Sequence, residues 1–367
     1  MRKLSYYLSA VAALVMAAGM ASCNITNDNP APGTDEPQQP EEAKLIIKEI
    51  NVGGCKTDDN KNYSWQKAIV LYNNSGTQAV LKNVGIAFAL PLNAHGTNGN
   101  YGDDGVLTYE KEGWVPAGQG LWYFPETITV APYSDVVIAV NGAIDHVNHP
   151  VVTNTTPEGT VITNAFDLTN ADYAMYDKSS GYENASAYPD PANANIPTMK
   201  AIAYMTANAW PISMLCPALF LFQAPEDVDL PAYLTAEENV TYAGTQAKSN
   251  MCGKIPMEWV IDGVELYQTT QVEKSVKRLP AVIDAGYGLY NSFLGYSAYR
   301  NVDKEATEAI KDNAGKLVYG YDQAVEGTSD PSDIDAAASI KNGAKIVYKD
   351  SNNSTEDFHL RKTWSLK

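Results

Sequence analysis

The sequence predicts a mainly β protein, a β-sandwich with loops and short helices inserted between its strands. Short segments rich in β-branched, aliphatic and aromatic residues recur along the chain, and clusters of Gly, Pro, Asn and Asp separate them. That alternation is typical of two packed antiparallel sheets. The predicted strands are residues 45–50, 68–72, 80–89, 120–124, 135–140, 218–222 and 259–267.

Two of these segments also predict their surroundings. Residues 68–72 read Ala-Ile-Val-Leu-Tyr and stop at Asn-Asn-Ser-Gly, which is a turn sequence. Residues 219–222 read Leu-Phe-Leu-Phe, so both faces of this strand are apolar. We therefore expect a central strand that is covered on each side. The run is far too short to cross a membrane.

Two short helices are predicted towards the C-terminus. Ser332 resembles the first residue of a capping box, so one helix would run through residues 336–338 and end at Gly343. Asp303 is the expected cap of the other helix, over residues 304–313.

The beginning of the chain has the composition of a lipoprotein signal. Two basic residues open it, residues 6–16 are apolar, and small residues lead directly into Cys23. We therefore predict cleavage after residue 22 and acylation of the Cys23 thiol. A membrane-spanning helix is the alternative, but the apolar stretch is short and rich in Ala and Gly. Several acyl chains, each stabilised by about 0.8 kcal/mol per buried methylene, would hold the protein at a membrane.

The rest of the chain divides into a tether, residues 23–43, and one folded domain, residues 44–367. Residues 24–43 contain four prolines, five acids and no Lys or Arg, which is too little apolar surface for ordering. Such a spacer reaches roughly 60 Å when extended and about 25 Å as a coil. No second proline-rich linker follows, so we expect a single elaborated domain.

The charge of the chain excludes two classes of partner. The formal net charge is −17, and it becomes −19 when Arg2 and Lys3 are removed with residues 1–22. Nucleic acid and bare anionic membrane both require clustered Lys and Arg, so neither is an expected partner. The negative charge favours solubility or attraction of cationic ligands.

Three cysteines remain besides Cys23, namely Cys55, Cys216 and Cys252. An odd number outside the cytoplasm leaves at least one thiol unpaired. Cys216 and Cys252 could form a disulfide, and the sequence leaves this open. No Cys-x-x-Cys pair occurs, so a thiolate zinc site or a redox motif has no support.

Two segments contain residue types that bind metals. Residues 350–357 are rich in carboxylate and amide oxygens, but they lack the glycine and the terminal acid of an EF-hand loop. A hydrogen-bonded turn followed by Phe358 in the core is the favoured interpretation. His146 and His149 lie in a polar loop, for which we expect solvation rather than metal binding. Only two other histidines could complete a metal site, His95 and His359. We predict no metal and no cofactor.

Catalytic motifs do not support an enzyme. The chain has no Gly-x-Ser-x-Gly elbow and no Gly-x-x-x-x-Gly-Lys loop. With 43 acidic residues, carboxylate pairs carry no information about glycosidase activity. The 23 tyrosines, against 7 phenylalanines, are the remaining lead, since Tyr and Trp offer rigid surface for peptides, sugars or proteins. Trp114 and residues 121–124 lie near glycine-rich turns, although half-buried strand residues are the favoured interpretation.

Several segments resemble the lamin tail domain. Residues 261–266, Ile-Asp-Gly-Val-Glu-Leu, are similar to its aliphatic-Asp-x-Val strand. Arg300 followed by residues 350–358 resembles the closing motif of lamin-tail-like lipoproteins of the Bacteroidota, a family with an uncharacterised domain. The opening strands of the family resemble residues 45–51, 68–75 and 81–88.

This resemblance implies an immunoglobulin-like β-sandwich of the lamin tail type. It also implies a cell-surface lipoprotein encoded beside TonB-dependent outer-membrane transporters, with an accessory role in nutrient or metal uptake. The family's strand acid is Val70 here and its tryptophan is Ala68, with Trp65 displaced by three residues. No ligand role transfers to that position, and Val70 predicts burial instead.

Together these observations predict a lipid-anchored outer-membrane lipoprotein. We expect a non-enzymatic accessory or ligand-binding subunit beside a TonB-dependent transporter, with its ligand-binding residues unspecified. A structural or adhesive surface protein with no transported ligand is the alternative, and a hydrolase of glycans or peptides ranks third. Surface exposure is expected, but the first acid after the cysteine is Asp28, so a periplasm-facing location stays open.

Overall fold

The computed structural model describes residues 43–180, 182, 188–205 and 207–366. The predicted signal, Cys23 and nearly all of the tether lie outside the described residues. With 30% strand and 14% helix, the chain is mainly β, as predicted. The described residues from Ala43 onward belong to one compact unit.

The strands are short and numerous. Those of the first part of the chain are β1 (Leu45–Asn51), β2 (Cys55–Lys56), β3 (Asn62–Tyr63), β4 (Ala68–Asn73), β5 (Ala79–Leu81), β6 (Val84–Phe88), β7 (Trp114–Gly118), β8 (Gly120–Tyr123), β9 (Ile128–Val130) and β10 (Asp135–Ala139). Those that follow are β11 (Tyr173–Ala174), β12 (Lys200–Ala203), β13 (Ala218–Gln223), β14 (Val240–Tyr242), β15 (Met251–Pro256), β16 (Val260–Gln268), β17 (Gly288–Tyr290), β18 (Ser297–Arg300) and β19 (Phe358–Arg361).

Helices are brief, and they lie between strands. The α-helices are α1 (Thr108–Lys111), α2 (Leu230–Thr235), α3 (Lys304–Ala309), α4 (Ala336–Lys341) and α5 (Ser354–Asp357). Single 3-10 turns occur at Glu237–Asn239, Lys248–Asn250, Met257–Trp259, Thr269–Lys274 and Lys311–Asn313. Every helix in the described part of the chain is too short or too polar to cross a bilayer.

Two six-stranded sheets form the body of the domain. The first has the order β11-β10-β4-β1-β18-β19, and the second has the order β12-β8-β6-β13-β16-β17. Neighbouring strands are antiparallel except for the pairs β10–β11 and β16–β17. Three smaller sheets, β14-β15-β7, β2-β3 and β5-β9, complete the fold.

Residues of both large sheets share the main hydrophobic core. Side chains alternate along each strand, so every second residue points to the same face. The core includes Ile47, Ile69 and Ile138 from the first sheet and Ile86, Trp122, Leu219 and Val264 from the second. The second sheet is covered on its other face too, where Phe220 and Phe222 pack against Leu279 and Ile283. The predicted central strand is therefore confirmed, with β13 lying between β6 and β16.

Most predicted strands match the structure to within a residue at each end, but residues 80–89 do not form one strand. The chain turns at Asn83, whose φ of 57° lies in the left-handed region that Asn tolerates. The turn separates β5, which pairs with β9, from β6, which belongs to the second large sheet. Lys82 and Asn83, which interrupt the apolar residues, mark this change of sheet.

The cap predicted for α4 was wrong by three residues. Asp335 rather than Ser332 caps this helix, because its Oδ1 accepts a hydrogen bond from the amide of Ala338 at 2.9 Å. The Ser332 hydroxyl accepts from the amide of Ile334 instead, one turn earlier. The end at Gly343 is confirmed, with a φ of 78°.

The helix predicted over residues 304–313 is present in two pieces. Asp303 caps it as expected, accepting from the amide of Ala306 at 3.0 Å. The α-helix ends at Ala309, and a 3-10 turn continues the segment to Asn313.

Candidate functional site

The strand β16 places one buried carboxylate on each face of the second sheet. Asp262 and Val264 share one face, towards the core between the large sheets, whereas Gly263 and Glu265 share the other. Both carboxylates are almost completely inaccessible to solvent. A buried charge requires partners, and each of the two acids meets a different arginine.

The first of these groups, the Arg300 cluster, comprises Arg300, Asp262, Asp350 and Asp357. The guanidinium nitrogens lie 2.6 Å from Asp262, 3.0 Å from Asp350 and 3.6 Å from Asp357. Arg300 also donates to the carbonyl of Ile47 at 2.9 Å, so this cluster joins β18 and β1 to β16 of the other sheet.

The Arg300 cluster has more negative than positive groups. Burial raises the pKa of Asp262 to about 6, with Asp350 acting in the same direction and Arg300 against it. Burial also tends to raise the pKa of Asp350, but Arg300 and Lys44 bring it below its usual value. The guanidinium lies 4.7 Å from the ring centre of Phe358, a side chain buried in the core as predicted. These contacts give Arg300, Asp350, Asp357 and Phe358 a structural role.

The second group, the Arg278 cluster, comprises Arg278, Glu265, Lys277 and Asp284. Glu265 accepts from Arg278 Nε at 2.7 Å and lies 2.8 Å from the Lys277 ammonium. The backbone amides of Arg278 and Leu279 also donate to it. Although burial acts in the opposite direction, Arg278 and Lys277 lower the pKa of Glu265.

Asp284 extends the Arg278 cluster to α5. It accepts from the amide of Glu265 and from both the amide and the hydroxyl of Ser354, each at 2.8 Å. Burial raises the pKa of Asp284, with Lys277 acting against it from 3.5 Å away. The segment that follows β16 is therefore held firmly against this strand.

A cleft of about 490 Å³ opens beside the Arg278 cluster, and we call it the Tyr101 cleft. Its volume falls in the range of small-molecule sites. Apolar side chains dominate its lining, and Glu110 and Lys277 are its charged members. The apolar and aromatic lining comprises Tyr101, Val106, Leu107, Val276, Leu279, Ala281 and Ala285.

Two tyrosine hydroxyls fix the walls of the Tyr101 cleft. Tyr101 donates to the carbonyl of Lys277, and the fully buried Tyr109 donates to the carbonyl of Arg278. These bonds join the segment around α1 to the segment after β16, which is about 170 residues away in the chain. The cleft is thus largely preformed, as binding sites for small molecules usually are.

The predicted histidine loop is not a solvated loop at His146. This side chain is fully buried, and burial lowers its pKa to about 4. Its Nε2 donates to the carbonyl of Gly142 at 3.3 Å, and its Nδ1 accepts from the hydroxyl of Tyr63 at 2.7 Å. The expectation failed because the polar loop folds over a small core around Tyr63. His149 is exposed, as expected.

His359 lies on β19, away from His146, and it is also buried. Its Nδ1 is 2.7 Å from Asn301 Oδ1, and its Nε2 is 2.6 Å from the Tyr321 hydroxyl. Burial and Arg361 lower the pKa of His359 to about 3, and burial raises the pKa of Tyr321. The pair therefore keeps the proton on the tyrosine, which is the opposite of nucleophile activation.

Metal-binding geometry is also absent from the part of the chain described here. No group of three or more His, Cys, Asp or Glu side chains there could hold a metal ion. In the predicted acidic loop, Asp357 accepts from the amide and hydroxyl of Ser351, and Asn353 accepts from the amide of Thr355. The interpretation of residues 350–357 as a hydrogen-bonded turn is confirmed.

The cysteines do not form the disulfide that the sequence left open. Cys216 and Cys252 are both buried thiols in separate hydrophobic clusters. Burial raises the pKa of Cys252 to about 12, which makes it a weak nucleophile. Cys55 is likewise buried, beside Tyr63.

The aromatic residues that the sequence offered as a possible binding surface lie partly in the core and partly at the surface. Trp122 and Phe124 are core residues, and Trp122 packs edge-to-face on Tyr188 at 5.4 Å. Tyr123 points the other way and is half-buried, so the favoured interpretation is confirmed there. It lines a second cleft of about 620 Å³ whose charged members are Asp177 and Lys200. Val70, at which this sequence differs from the lamin tail pattern, is fully buried as predicted.

Sequence reasoning did not predict the Tyr101 cleft. The one sequence feature that points towards it is Glu265, because a charged residue in an apolar strand requires a partner at that face of the sheet. The partner, Arg278, and the two hydroxyls that close the cleft depend on contacts between distant segments, which periodicity does not encode.

These features define a mainly β protein with two buried ion clusters and one preformed apolar cleft. Residues 131–319, more than half of the chain, match the family described as "Protein of unknown function (DUF4876)", and the chain belongs to that family. No curated protein matches.

A solved structure supports the fold. The chain is similar to a DUF4876 family protein from Bacteroides thetaiotaomicron, with 20% sequence identity and a TM-score of 0.59. The alignment covers 86% of this chain and 70% of that chain. At this identity the likeness establishes a shared fold alone.

Proposed function

We propose that this protein is a non-enzymatic, ligand-binding lipoprotein of the outer membrane. Its body is a β-sandwich of the immunoglobulin-like, lamin tail type, held by lipid on Cys23 and a disordered tether. It acts as an accessory subunit beside a TonB-dependent transporter and faces the cell surface. Its ligand occupies the Tyr101 cleft.

The observation that carries this proposal is the contrast between the Tyr101 cleft and the charged groups around it. Glu265, Arg278 and Asp284 are fully buried, and their hydrogen bonds serve to hold the cleft's walls. The cleft itself offers apolar surface and few polar groups, which is the composition of a binding site for small molecules.

A non-enzymatic role is supported by the state of the residues that usually perform catalysis. Burial lowers the pKa values of His146 and His359 far below neutrality, so neither acts as an accessible base. The Cys252 thiol, which is also buried, has a raised pKa. These three side chains are 4% exposed or less, so a substrate would not reach them.

The lipid anchor is tested by growing cells with labelled palmitate. We expect label in the full-length protein and in Ser22→Ala, a matched control that keeps a small residue before the cysteine. Cys23→Ala should carry no label. Incorporation of palmitate by Cys23→Ala would refute the anchor. Protease treatment of intact cells separately tests the surface-facing location, which protection of the domain from the protease would contradict.

The accessory role is tested by affinity purification of the full chain from membranes solubilised in mild detergent. We expect a TonB-dependent transporter to co-purify in a stoichiometric amount. Recovery of the lipoprotein without a transporter would contradict this role and favour the structural or adhesive alternative. Turnover of a glycan or peptide by the purified protein would contradict the non-enzymatic assignment.

A further inference from the structure

The ionisable groups of the Tyr101 cleft are not equivalent. Lys277 lines it, but its ammonium is 2.8 Å from Glu265, 3.5 Å from Asp284, and bonded to the carbonyl of Gly286. An ammonium has three protons to donate, and these partners occupy them. Lys277 therefore offers little to an incoming anion.

Glu110 is the other charged side chain of the cleft, and it is half-buried at the end of α1. Among the described residues, no hydrogen bond or ion pair reaches its carboxylate. The neighbouring cation, Lys111, is held by Asp104 at 2.5 Å. The Arg278 cluster has two positive and two negative groups, so Glu110 gives the cleft a net negative charge.

The aromatic ring of Tyr101 adds a second feature that favours positive charge. This side chain is 38% exposed, and its hydroxyl is fixed on the carbonyl of Lys277. Ring faces attract cations, and a ring held in place loses little freedom when it does so. The net charge of −17 for the whole chain acts in the same direction.

We infer that the Tyr101 cleft binds a small organic cation with an apolar body, whose ammonium faces Glu110 and whose body contacts Leu107, Val276 and Leu279. This inference rests on the proposed function and specifies the class of its ligand. A purely apolar molecule would leave the Glu110 carboxylate without a partner, and an anion would meet it directly.

The test uses three probes that share a phenylethyl body and differ in the charge of the attached group: phenethylammonium, 2-phenylethanol and 3-phenylpropionate. Binding to the purified full chain is measured by ligand-detected NMR at low salt. We expect phenethylammonium to bind about tenfold more tightly than the alcohol, a difference of about 1.4 kcal/mol. The propionate should bind most weakly, and the preference should decrease at 1 M salt, where charges are screened within about 3 Å.

Two variants and one control assign the binding to this cleft. Glu110→Gln should reduce binding of the cation roughly fivefold, about 1 kcal/mol, and leave binding of the alcohol unchanged, since an ion pair with a half-buried carboxylate contributes on this scale. Glu112→Gln is the matched control, because Glu112 is exposed, accepts from Trp114 Nε1 and lies outside the cleft. Val276→Trp, which places a large ring at the 40% exposed lip, should abolish binding of all three probes.

The outcomes separate this inference from the proposed function. Equal binding of the three probes, with no effect of Glu110→Gln, overturns the cationic ligand and leaves the cleft a ligand site. No binding of any probe, or binding that Val276→Trp does not affect, overturns the cleft as the ligand site as well. An unchanged unfolding midpoint of each variant shows that the fold is intact.

Discussion

The Arg300 cluster and the Arg278 cluster begin on the same strand but serve different regions. Asp262 points between the two large sheets, and the Arg300 cluster joins them there. Glu265 points to the outer face, where the Arg278 cluster holds the wall of the Tyr101 cleft. A single strand thus uses its two faces for two structural tasks.

The clusters also differ in the balance of their charges. Arg300 alone faces three carboxylates within 3.6 Å. Of these, only Asp350 forms an ion pair with a second cation, the partly exposed Lys44. The Arg278 cluster matches two cations with two carboxylates. On the strand β16 itself, burial raises the pKa of Asp262 to about 6, whereas Arg278 and Lys277 lower the pKa of Glu265 against the effect of burial. Asp262 is therefore the carboxyl of β16 that titrates nearer to neutrality.

The largest expected effect comes from removing the single cation of the Arg300 cluster. Arg300→Met leaves three carboxylates in a site with almost no solvent, and it should lower the free energy of unfolding by about 3–5 kcal/mol. Denaturant titration at pH 7 measures this. A loss below 1 kcal/mol would show that the guanidinium does not join the sheets energetically.

A smaller loss is expected on the other face of β16. Glu265→Gln leaves Arg278 without its anionic partner, but Lys277 is 27% exposed and keeps Asp284, so we expect about 2–4 kcal/mol. The matched control Glu258→Gln, at an exposed acid just before β16, should change stability by less than about 0.5 kcal/mol. If both variants behaved alike, the Arg278 cluster would not stabilise the cleft wall.

These two clusters show what the sequence could predict. The turn over residues 350–357 was predictable, because its Asp, Asn, Ser and Thr side chains form hydrogen bonds within the segment. Asp262 and Glu265 both appear in the predicted strand, yet their partners lie 38 and 13 residues away. Local patterns fix the strand and its two faces, but they do not say which distant residue meets a given side chain.

The same limit explains the errors elsewhere. Residues 80–89 are an exception, because Lys82 and the left-handed Asn83 interrupt the apolar run and mark the change of sheet in the sequence itself. His146 lies in a polar loop, and its burial follows from Tyr63, about eighty residues away. The Tyr101 cleft has this origin too, since hydroxyl-to-carbonyl bonds between distant segments close it.

The pH dependence of stability should differ in sign between Asp262 and Glu265, the two buried carboxyls of β16. The pKa of Asp262 is raised to about 6 in the folded state, above a value near 3.8 for the unfolded chain. Between these values the folded state binds more protons, so stability from this residue falls as pH rises through that window. Relative to Asp262→Asn, the wild type should lose on the order of 2–3 kcal/mol between pH 4 and pH 6.

Glu265 should respond in the opposite direction. Its pKa is lowered in the folded state, so its contribution is present above about pH 4.5 and is lost as pH falls through the folded value. Urea titrations of wild type, Asp262→Asn and Glu265→Gln at several pH values measure both differences. The quantity to compare is the slope of the unfolding free energy against pH, taken as the difference between wild type and each variant. The constant change in stability that each new amide causes does not affect this slope. Slopes of the same sign would contradict the opposite pKa shifts of Asp262 and Glu265.

The smallest effect is expected at the edge of the Arg300 cluster. Lys44 lies 2.7 Å from Asp350, but its side chain is 51% exposed, so water screens the pair. Lys44→Met should lower the free energy of unfolding by less than about 1 kcal/mol, and Lys61→Met, in the exposed pair with Asp59, is the matched comparison. Denaturant titration of both variants beside Arg300→Met provides the comparison. A loss for Lys44→Met as large as that for Arg300→Met would mean that the cluster depends on its exposed cation, and that Arg300 alone does not neutralise the carboxylates between the sheets.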